Sequence, residues 1–231
     1  MWFVLRAHGG RYPLIGVSFF ISFLVIFLLV ALKVTQSGDS ALEIAINSAT
    51  APWVTPLMVA ATNYGRDYFW ILIVALLLIF GRTETKLLAL ELAVLFVAGI
   101  AAGEVMKLLY YRERPFLVLG NQINLLIPTD PDSSFPSGHA LIVGIGAFFS
   151  FARIRNRVLA AVLIIEAALV CYSRVYVGAH YPTDVLGALA LAGAITFIGI
   201  YLLEGPLRRY FTRACGLIVT IPKKLRAPEV V

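Results

Sequence analysis

The stretch SRVYVGAHYPTD, which runs from Ser173 to Asp184, places an arginine, a histidine and an aspartate between two apolar segments. Segment 158–172 precedes it and segment 184–203 follows it, and each contains a single acidic residue. A transmembrane helix needs roughly 17–25 mostly apolar residues. Both segments, extended at their polar ends, are therefore predicted to cross a membrane, with the quoted stretch at its surface. The presence of three ionisable groups between two membrane spans needs an explanation.

The composition of the whole chain agrees with this interpretation. Of its 231 residues, 60% are hydrophobic and 14% are charged, whereas soluble domains carry about 25% charged residues. The first apolar run, 14–34, is longer than the roughly 7–15-residue core of a signal peptide and no cleavage site follows it, so a retained span is expected. Cys171 and Cys215 fall on different segments, and no disulfide is expected.

The predicted fold class is all-α: a polytopic membrane protein with six transmembrane helices plus interfacial helices. The six spans are expected at 14–34, 68–80, 87–110, 136–152, 158–172 and 184–203. Segments 36–51 and 51–62 are predicted to lie at the interface, and Gly65 permits a bend before the second span. Since no repeat or linker divides the chain, residues 1–231 are predicted to form a single membrane-embedded domain.

The positive charges are distributed unevenly between the two sides of this layout. One side carries 13 of the 19 Lys and Arg residues: Arg6, Arg11, Arg82, Lys86, Arg153, Arg155, Arg157, Arg208, Arg209, Arg213, Lys223, Lys224 and Arg226. The other side carries the remaining 6: Lys33, Arg66, Lys107, Arg112, Arg114 and Arg174. The positive-inside rule then predicts that both termini are cytoplasmic and that segments 107–138 and 173–184 face outward. The net charge of +6 thus indicates topology, and no nucleic-acid partner is expected.

Four of the outer cations fall in two short places, at Lys107, Arg112 and Arg114 and at Arg174. Any one of them could be an interfacial anchor whose side chain reaches the lipid headgroups. Arg174 is harder to explain in that way, because it ends a span on the side where topology disfavours arginine. Together they predict an anion site, since guanidinium groups bind phosphate oxygens in a planar, bidentate geometry.

A helix is predicted to begin at the PSGH stretch, 136–139, because proline favours the first helical turn and an apolar run follows. The free N–H groups of that turn, including those of Ser137 and Gly138, are expected to point at an anion. The Ser137 hydroxyl would add one more donor. The alternative is a simple N-cap turn without a ligand.

His180 and Asp184 lie four residues apart, with a helix start between them at Pro182. An aspartate there can simply complement the helix dipole. It can also accept from one imidazole nitrogen and leave the other as an oriented lone pair, as a nucleophile or base requires. A metal site made of these two residues and His139 is the rival interpretation. The surrounding cations would repel a metal ion by roughly 1–4 kcal/mol per close pair, so no metal is expected.

Three spaced motifs between positions 107 and 184 resemble those of the type 2 phosphatidic acid phosphatase superfamily. The motifs KxxxxxxRP, PSGH and SRxxxxxHxxxD are matched at Lys107, Arg114 and Pro115, at Pro136, Ser137, Gly138 and His139, and at Ser173, Arg174, His180 and Asp184. The six-span layout extends this resemblance over most of the chain.

The resemblance implies a role for each matched residue. His180 would attack phosphorus and form a phosphohistidine, oriented and charged by Asp184, while His139 would protonate the leaving group and then activate water. The phosphoryl oxygens would be held by Lys107, Arg114, Arg174, Ser137 and Gly138. Arg112 could touch a second phosphate. Neither a metal nor another cofactor is implied.

The sequence therefore predicts an integral membrane lipid phosphatase with its active site at the outer face of the cell membrane. The substrate would enter laterally from the bilayer. Polyprenyl diphosphate is favoured over phosphatidylglycerophosphate, phosphatidate, diacylglycerol pyrophosphate and a lipid A phosphate. Two alternatives stay open: a phosphotransferase with a lipid or sugar hydroxyl as acceptor, and a non-catalytic lipid-phosphate transporter or scaffold, which the paired histidines disfavour. The oligomeric state is not predicted.

Overall fold

Helices form the regular structure of this chain. The computed structural model describes residues 10–128 and 132–216, without the side chains at 204–205 and after 206. Its helices are α1 (Tyr12–Ala31), α2 (Gln36–Ser48), α3 (Thr55–Tyr64), α4 (Asp67–Phe80), α5 (Thr83–Leu109), α6 (Pro115–Leu119), α7 (Gly138–Arg153), α8 (Arg157–Tyr176) and α9 (Pro182–Gly216). No strand occurs within those ranges, and the all-α prediction is confirmed. The description does not include the side chains of Arg6, Arg208, Arg209, Arg213, Cys215, Lys223, Lys224 and Arg226.

Several of the described helices are long and apolar enough to cross a membrane. Four pass this test, namely α1, α5, α8 and the Pro182–Leu203 part of α9. The pair formed by α3 and α4, bent by 50°, would make a fifth. Segment 51–62, predicted to be interfacial, thus contributes to the first half of a bent pair. These spans confirm the multi-pass architecture. The helix α7 is apolar but shorter than the others, so the count of six spans stays a prediction.

The bend between α3 and α4 lies at Gly65, where the sequence predicted it. A Cβ atom on Gly65 would lie 2.3 Å from the Val170 side chain of α8, a distance that real Cβ atoms do not tolerate. Glycine is required here because the bend packs directly against α8. This contact places Thr62 and Arg66, on either side of the bend, close to the C-terminal half of α8.

α7 is the central helix, with α5, α8 and α9 packed around it. A Cβ on Gly146 of α7 would lie 2.3 Å from the ring of Trp70, and that ring is buried. By contrast, α1 packs on α9 and leaves most of its apolar side chains exposed, as a lipid-facing helix does. The start of α7 is thereby surrounded by the ends of three neighbouring helices.

The opposite end of α7 is held by a buried ion pair. Arg153, counted among the cytoplasmic cations, donates from Nη2 to Oε1 of Glu91 at 2.7 Å, and both side chains are buried. Removing one partner of such a pair costs about 3–5 kcal/mol, because the other charge is left buried alone. The pair therefore fixes α5 against α7 at the end remote from the histidines.

Candidate active site

The structure brings the three sequence motifs together where four helices meet. Lys107 lies in the last turn of α5, Ser137 caps α7, Arg174 lies in the last turn of α8 and Asp184 in the first turn of α9. His180 lies in the short connection between α8 and α9. The backbone N–H of Ser137 donates to the carbonyl of Asp184 at 3.2 Å, which ties the start of α7 to the start of α9.

His180 is buried in a defined orientation. Its Nδ1 lies 2.8 Å from the backbone carbonyl oxygen of Ser134. Because a carbonyl can only accept, Nδ1 carries the hydrogen, and Nε2 keeps its lone pair. Nε2 lies 3.3 Å from Nη1 of Arg114. Burial, together with the positive charges of Arg174 and Arg114, lowers the pKa of His180 well below its usual value, so the ring is neutral and its lone pair is available.

Asp184 orients this histidine less directly than the sequence predicted. Its Oδ2 lies 3.7 Å from Nδ1 of His180, beyond hydrogen-bond distance. The Ser134 hydroxyl lies between them, donating to Oδ2 at 2.5 Å and lying 3.4 Å from Nδ1. The backbone N–H of Tyr181 adds a second donor to Oδ2 at 2.9 Å. Ser134 was missed at the sequence level, although it lies only two residues before the PSGH motif.

The start of α7 differs in part from the prediction. Ser137 is the N-cap, and its hydroxyl accepts from the Ala140 N–H at 3.5 Å. Its own N–H is engaged by Asp184, so it does not point at an anion as predicted. Gly138 keeps the backbone close to two cations, since a Cβ there would lie 3.9 Å from Nη1 of Arg66 and 4.0 Å from Nζ of Lys107.

Three of the predicted phosphate-binding cations lie near His180 and the start of α7. Arg114 donates from Nη1 to the Ala179 carbonyl at 3.0 Å, beside His180. Lys107 donates to Oδ2 of Asp132 at 2.5 Å, and Arg114 pairs with the other oxygen of the same carboxylate. Burial opposes ionisation of Asp132, but hydrogen bonds from these two cations lower its pKa. Lys107 and Arg114 thus share the two oxygens of one carboxylate.

Arg174 is the third cation and the most deeply buried of them. Its Nη1 donates to the Thr62 hydroxyl at 2.5 Å, which anchors it to α3. Its Nε is buried without a hydrogen-bond partner. A buried donor without a partner is costly, and an anion bound between Arg174 and Arg114 would remove that cost.

Arg112 and Arg66 do not lie where the sequence suggested. The Arg112 guanidinium is held by Asp184 and Asp39, at 2.6 Å and 2.7 Å, so the structure does not bring it to the phosphate-binding group. Arg66, counted only as an outer cation, instead places Nη1 3.5 Å from Nδ1 of His139. In the sequence, only its position directly after Gly65, where a bend was predicted, could have indicated that Arg66 lies near the site.

An apolar groove leads away from the histidines between α4, α5 and α7. It has a volume of about 270 Å³. Its apolar part is lined by Trp70, Ile71, Phe96, Gly99, Ile100, Gly103, Leu141 and Ile142. Its polar end is lined by Arg66, Asp67, Glu104, Lys107 and Gly138. The groove therefore joins a group of charged side chains near the start of α7 to an apolar lining.

The rival interpretation, a metal site, gains no support from the described ranges. Within residues 10–128 and 132–216, no group of three or more His, Cys, Asp or Glu side chains is arranged to hold a metal ion. The expectation that no metal takes part stays a prediction.

Fold and site together define an all-helical, multi-pass membrane protein with a histidine–aspartate pair inside a cluster of cations. The chain belongs to the PAP2 superfamily, whose family model matches residues 87–206. The resemblance noted from the motifs is thereby confirmed.

Three similar proteins illustrate this membership. The undecaprenyl-diphosphatase of Sulfolobus acidocaldarius is 43% identical over 154 residues, which cover 66% of this chain and 73% of that protein. The undecaprenyl-diphosphatase BcrC of Bacillus subtilis is 35% identical over 145 residues, covering 62% and 71%. The crystal structure of a transmembrane PAP2-type phosphatidylglycerolphosphate phosphatase from Bacillus subtilis superposes with a TM-score of 0.70 at 25% identity, covering 82% of this chain and 96% of that one.

Proposed function

We propose that this protein is an integral membrane lipid phosphatase that hydrolyses a lipid phosphate or diphosphate, with polyprenyl diphosphate favoured. The observation that carries the proposal is the neutral His180, whose Nε2 lone pair faces Arg114 while Nδ1 donates to the Ser134 carbonyl. The names of two relatives, both undecaprenyl-diphosphatases, support the diphosphate.

The first step forms a covalent intermediate. Nε2 of His180 attacks phosphorus, and the bond from phosphorus to the leaving oxygen breaks with its electron pair going to that oxygen. His139 donates a proton to the leaving oxygen as general acid. An anionic substrate favours the charged form of His139, because it brings negative charge among Arg66, Arg114 and Arg174.

The second step releases the phosphate. His139, now neutral, takes a proton from water as the water oxygen attacks phosphorus. The bond between phosphorus and Nε2 breaks, its electron pair returns to His180 and inorganic phosphate leaves. In both steps Lys107, Arg114 and Arg174 stabilise the charge on the phosphoryl oxygens.

The groove between α4, α5 and α7 supports a substrate with an apolar tail. Its apolar lining fits an isoprenoid or acyl chain. Arg66 and Lys107, at its polar end, fit the headgroup.

The orientation in the membrane is part of the proposal. The charge distribution supports cytoplasmic termini and an outward-facing site within a single domain spanning 1–231. Single cysteines at Asn156 and Asn121, in a background without Cys171 and Cys215, should be labelled from opposite sides of intact cells. Labelling of both by an impermeant reagent would contradict this orientation.

A substrate panel tests the activity. The purified full-length protein in detergent is given a polyprenyl diphosphate, a polyprenyl monophosphate, phosphatidylglycerophosphate and phosphatidate, and released phosphate is measured. We expect the highest kcat/KM for the diphosphate, and activity unchanged by a chelator. Release restricted to samples with added Mg²⁺, or the same release from His180→Ala, would contradict the proposal.

A further inference from the structure

α2 presents a line of buried polar side chains to the active site. Asp39, Glu43 and Asn47 are 2%, 0% and 0% exposed, and their spacing of four residues places them on one helix face. Asn47 donates to the carbonyls of Asn124 and Tyr176, both at 2.9 Å, which holds α2 against the end of α8 and the loop that contains Asn124. This helix lies outside the residues that match the family model.

Asp39, at the start of this line, binds the two segments that carry the site. Its Oδ2 accepts from Nη2 of Arg112 at 2.7 Å and from the Thr183 hydroxyl at 2.5 Å. Its Oδ1 accepts from the Thr183 N–H at 3.1 Å. Thr183 lies beside Asp184 in the first turn of α9, so Asp39 caps the helix that carries Asp184.

Arg112 connects Asp39 to Asp184. Its Nη1 donates to Oδ1 of Asp184 at 2.6 Å and to Thr183 at 2.9 Å, and its guanidinium lies 4.3 Å over the Tyr181 ring. The side chain is buried, and a buried cation between two carboxylates is shared by both. Without the charge of Asp39, Arg112 would pair with Asp184 alone and neutralise it further.

We propose that Asp39 is a positioning residue for His180, acting through Arg112 and Asp184, and this rests on the phosphatase function proposed above. Asp184 reaches His180 through the Ser134 hydroxyl. Asp39 sets how much negative charge Asp184 retains and where its carboxylate points. It touches none of the phosphate-binding cations Lys107, Arg114 and Arg174, so its effect is on kcat rather than on KM.

Glu43 provides a matched control on the same helix face. Both of its carboxylate oxygens are buried without a hydrogen-bond partner. Burial, with the negative charges of Asp184 and Asp39, raises its pKa to about 9, so it is protonated and neutral at pH 7. Glu43→Gln is therefore nearly isosteric and uncharged like the original side chain, and it leaves the Asp39–Arg112 contact in place.

The experiment compares kcat and KM of purified full-length Asp39→Asn, Arg112→Gln, the double variant and Glu43→Gln on polyprenyl diphosphate. We expect kcat of Asp39→Asn to fall roughly 10- to 150-fold, as for loss of one hydrogen bond to a charged group, with KM changed less than about twofold. The double variant should lose less than the product of the two single losses, because Asp39 and Arg112 both act on Asp184 and share one contact. Glu43→Gln should match the wild type.

Three outcomes would overturn the proposal: kcat of Asp39→Asn equal to that of Glu43→Gln, a change confined to KM, or multiplicative losses in the double variant. Failure of the proposed function looks different, because the wild type would then release no phosphate from any lipid. In that case the affinity for vanadate, which mimics the phosphoryl group in transfer to His180, is measured for the same variants. Positioning by Asp39 requires weaker vanadate binding in Asp39→Asn and unchanged binding in Glu43→Gln.

Discussion

Ser134→Ala isolates the hydroxyl that joins Asp184 to His180. The hydroxyl donates to Oδ2 of Asp184 at 2.5 Å, whereas the Ser134 carbonyl, which the substitution keeps, accepts from Nδ1 of His180 at 2.8 Å. The tautomer of His180 should thus survive, while Asp184 loses one of its donors. The side chain is fully buried, so no water would replace the missing donor without rearrangement.

The expected magnitude follows from that contact. A hydrogen bond to a charged group contributes about 1.5–3 kcal/mol, which corresponds to roughly 10- to 150-fold in rate if the bond is lost as the imidazole becomes phosphorylated and charged. We therefore expect kcat to fall within that range, with KM nearly unchanged because no phosphate-binding cation is altered.

Steady-state kinetics on a lipid diphosphate in detergent measures this effect. Ser150→Ala is the matched control, since Ser150 is an equally buried serine towards the far end of α7, and it should retain the activity of the wild type. Retention of more than about half of kcat by Ser134→Ala, or a loss that appears in KM alone, would refute the role of the hydroxyl.

Three further predictions address other parts of the site. His139→Ala should cost roughly 10²–10⁴-fold on a lipid phosphate but much less on an aryl phosphate, whose phenolate leaves without a proton; equal losses on both would contradict a general acid. Asp132→Asn should lower KM or the inhibition constant of vanadate, because its carboxylate competes for Lys107 and Arg114; a higher KM would show that Asp132 organises these cations instead. The pKa of Glu43 is about 9 in the folded protein and near 4.5 in the unfolded chain, so thermal stability should fall as pH rises between these values. Glu43→Gln should make this fall less steep, and an unchanged slope would contradict a protonated Glu43.

The sequence predicted the helical membrane architecture because apolar run length is a local property that each segment carries by itself. It also predicted that His139, His180, Asp184, Lys107 and Arg114 belong to one site, from their side-chain chemistry and the motif resemblance, and the structure brings them together. It did not predict which carboxylate each arginine would meet. The pairing of Arg112 with Asp39 joins residues 73 positions apart, and that depends on how α2 packs against α8 and α9.

The role of Ser134 was hidden for a different reason. A serine before a helix start is typical of an ordinary turn. Its role follows only from the structure, in which the Ser134 carbonyl faces Nδ1 of His180 and the Ser134 hydroxyl faces Asp184. Likewise, the direct contact expected from the four-residue spacing of His180 and Asp184 is not formed, because His180 lies before the first turn of α9 and spacing does not fix the distance between side-chain atoms.

The central claim is that His180 carries the phosphoryl group during turnover. His139→Ala given an aryl phosphate in the presence of EDTA should complete the first step and stall before hydrolysis, because its leaving group needs no proton while water lacks its base. After a quench in base, which preserves phosphohistidine, mass spectrometry should find one phosphoryl group on the peptide that contains His180, and none in His180→Ala. Continued hydrolysis with no label on that peptide, or with the label on another residue, would contradict the account.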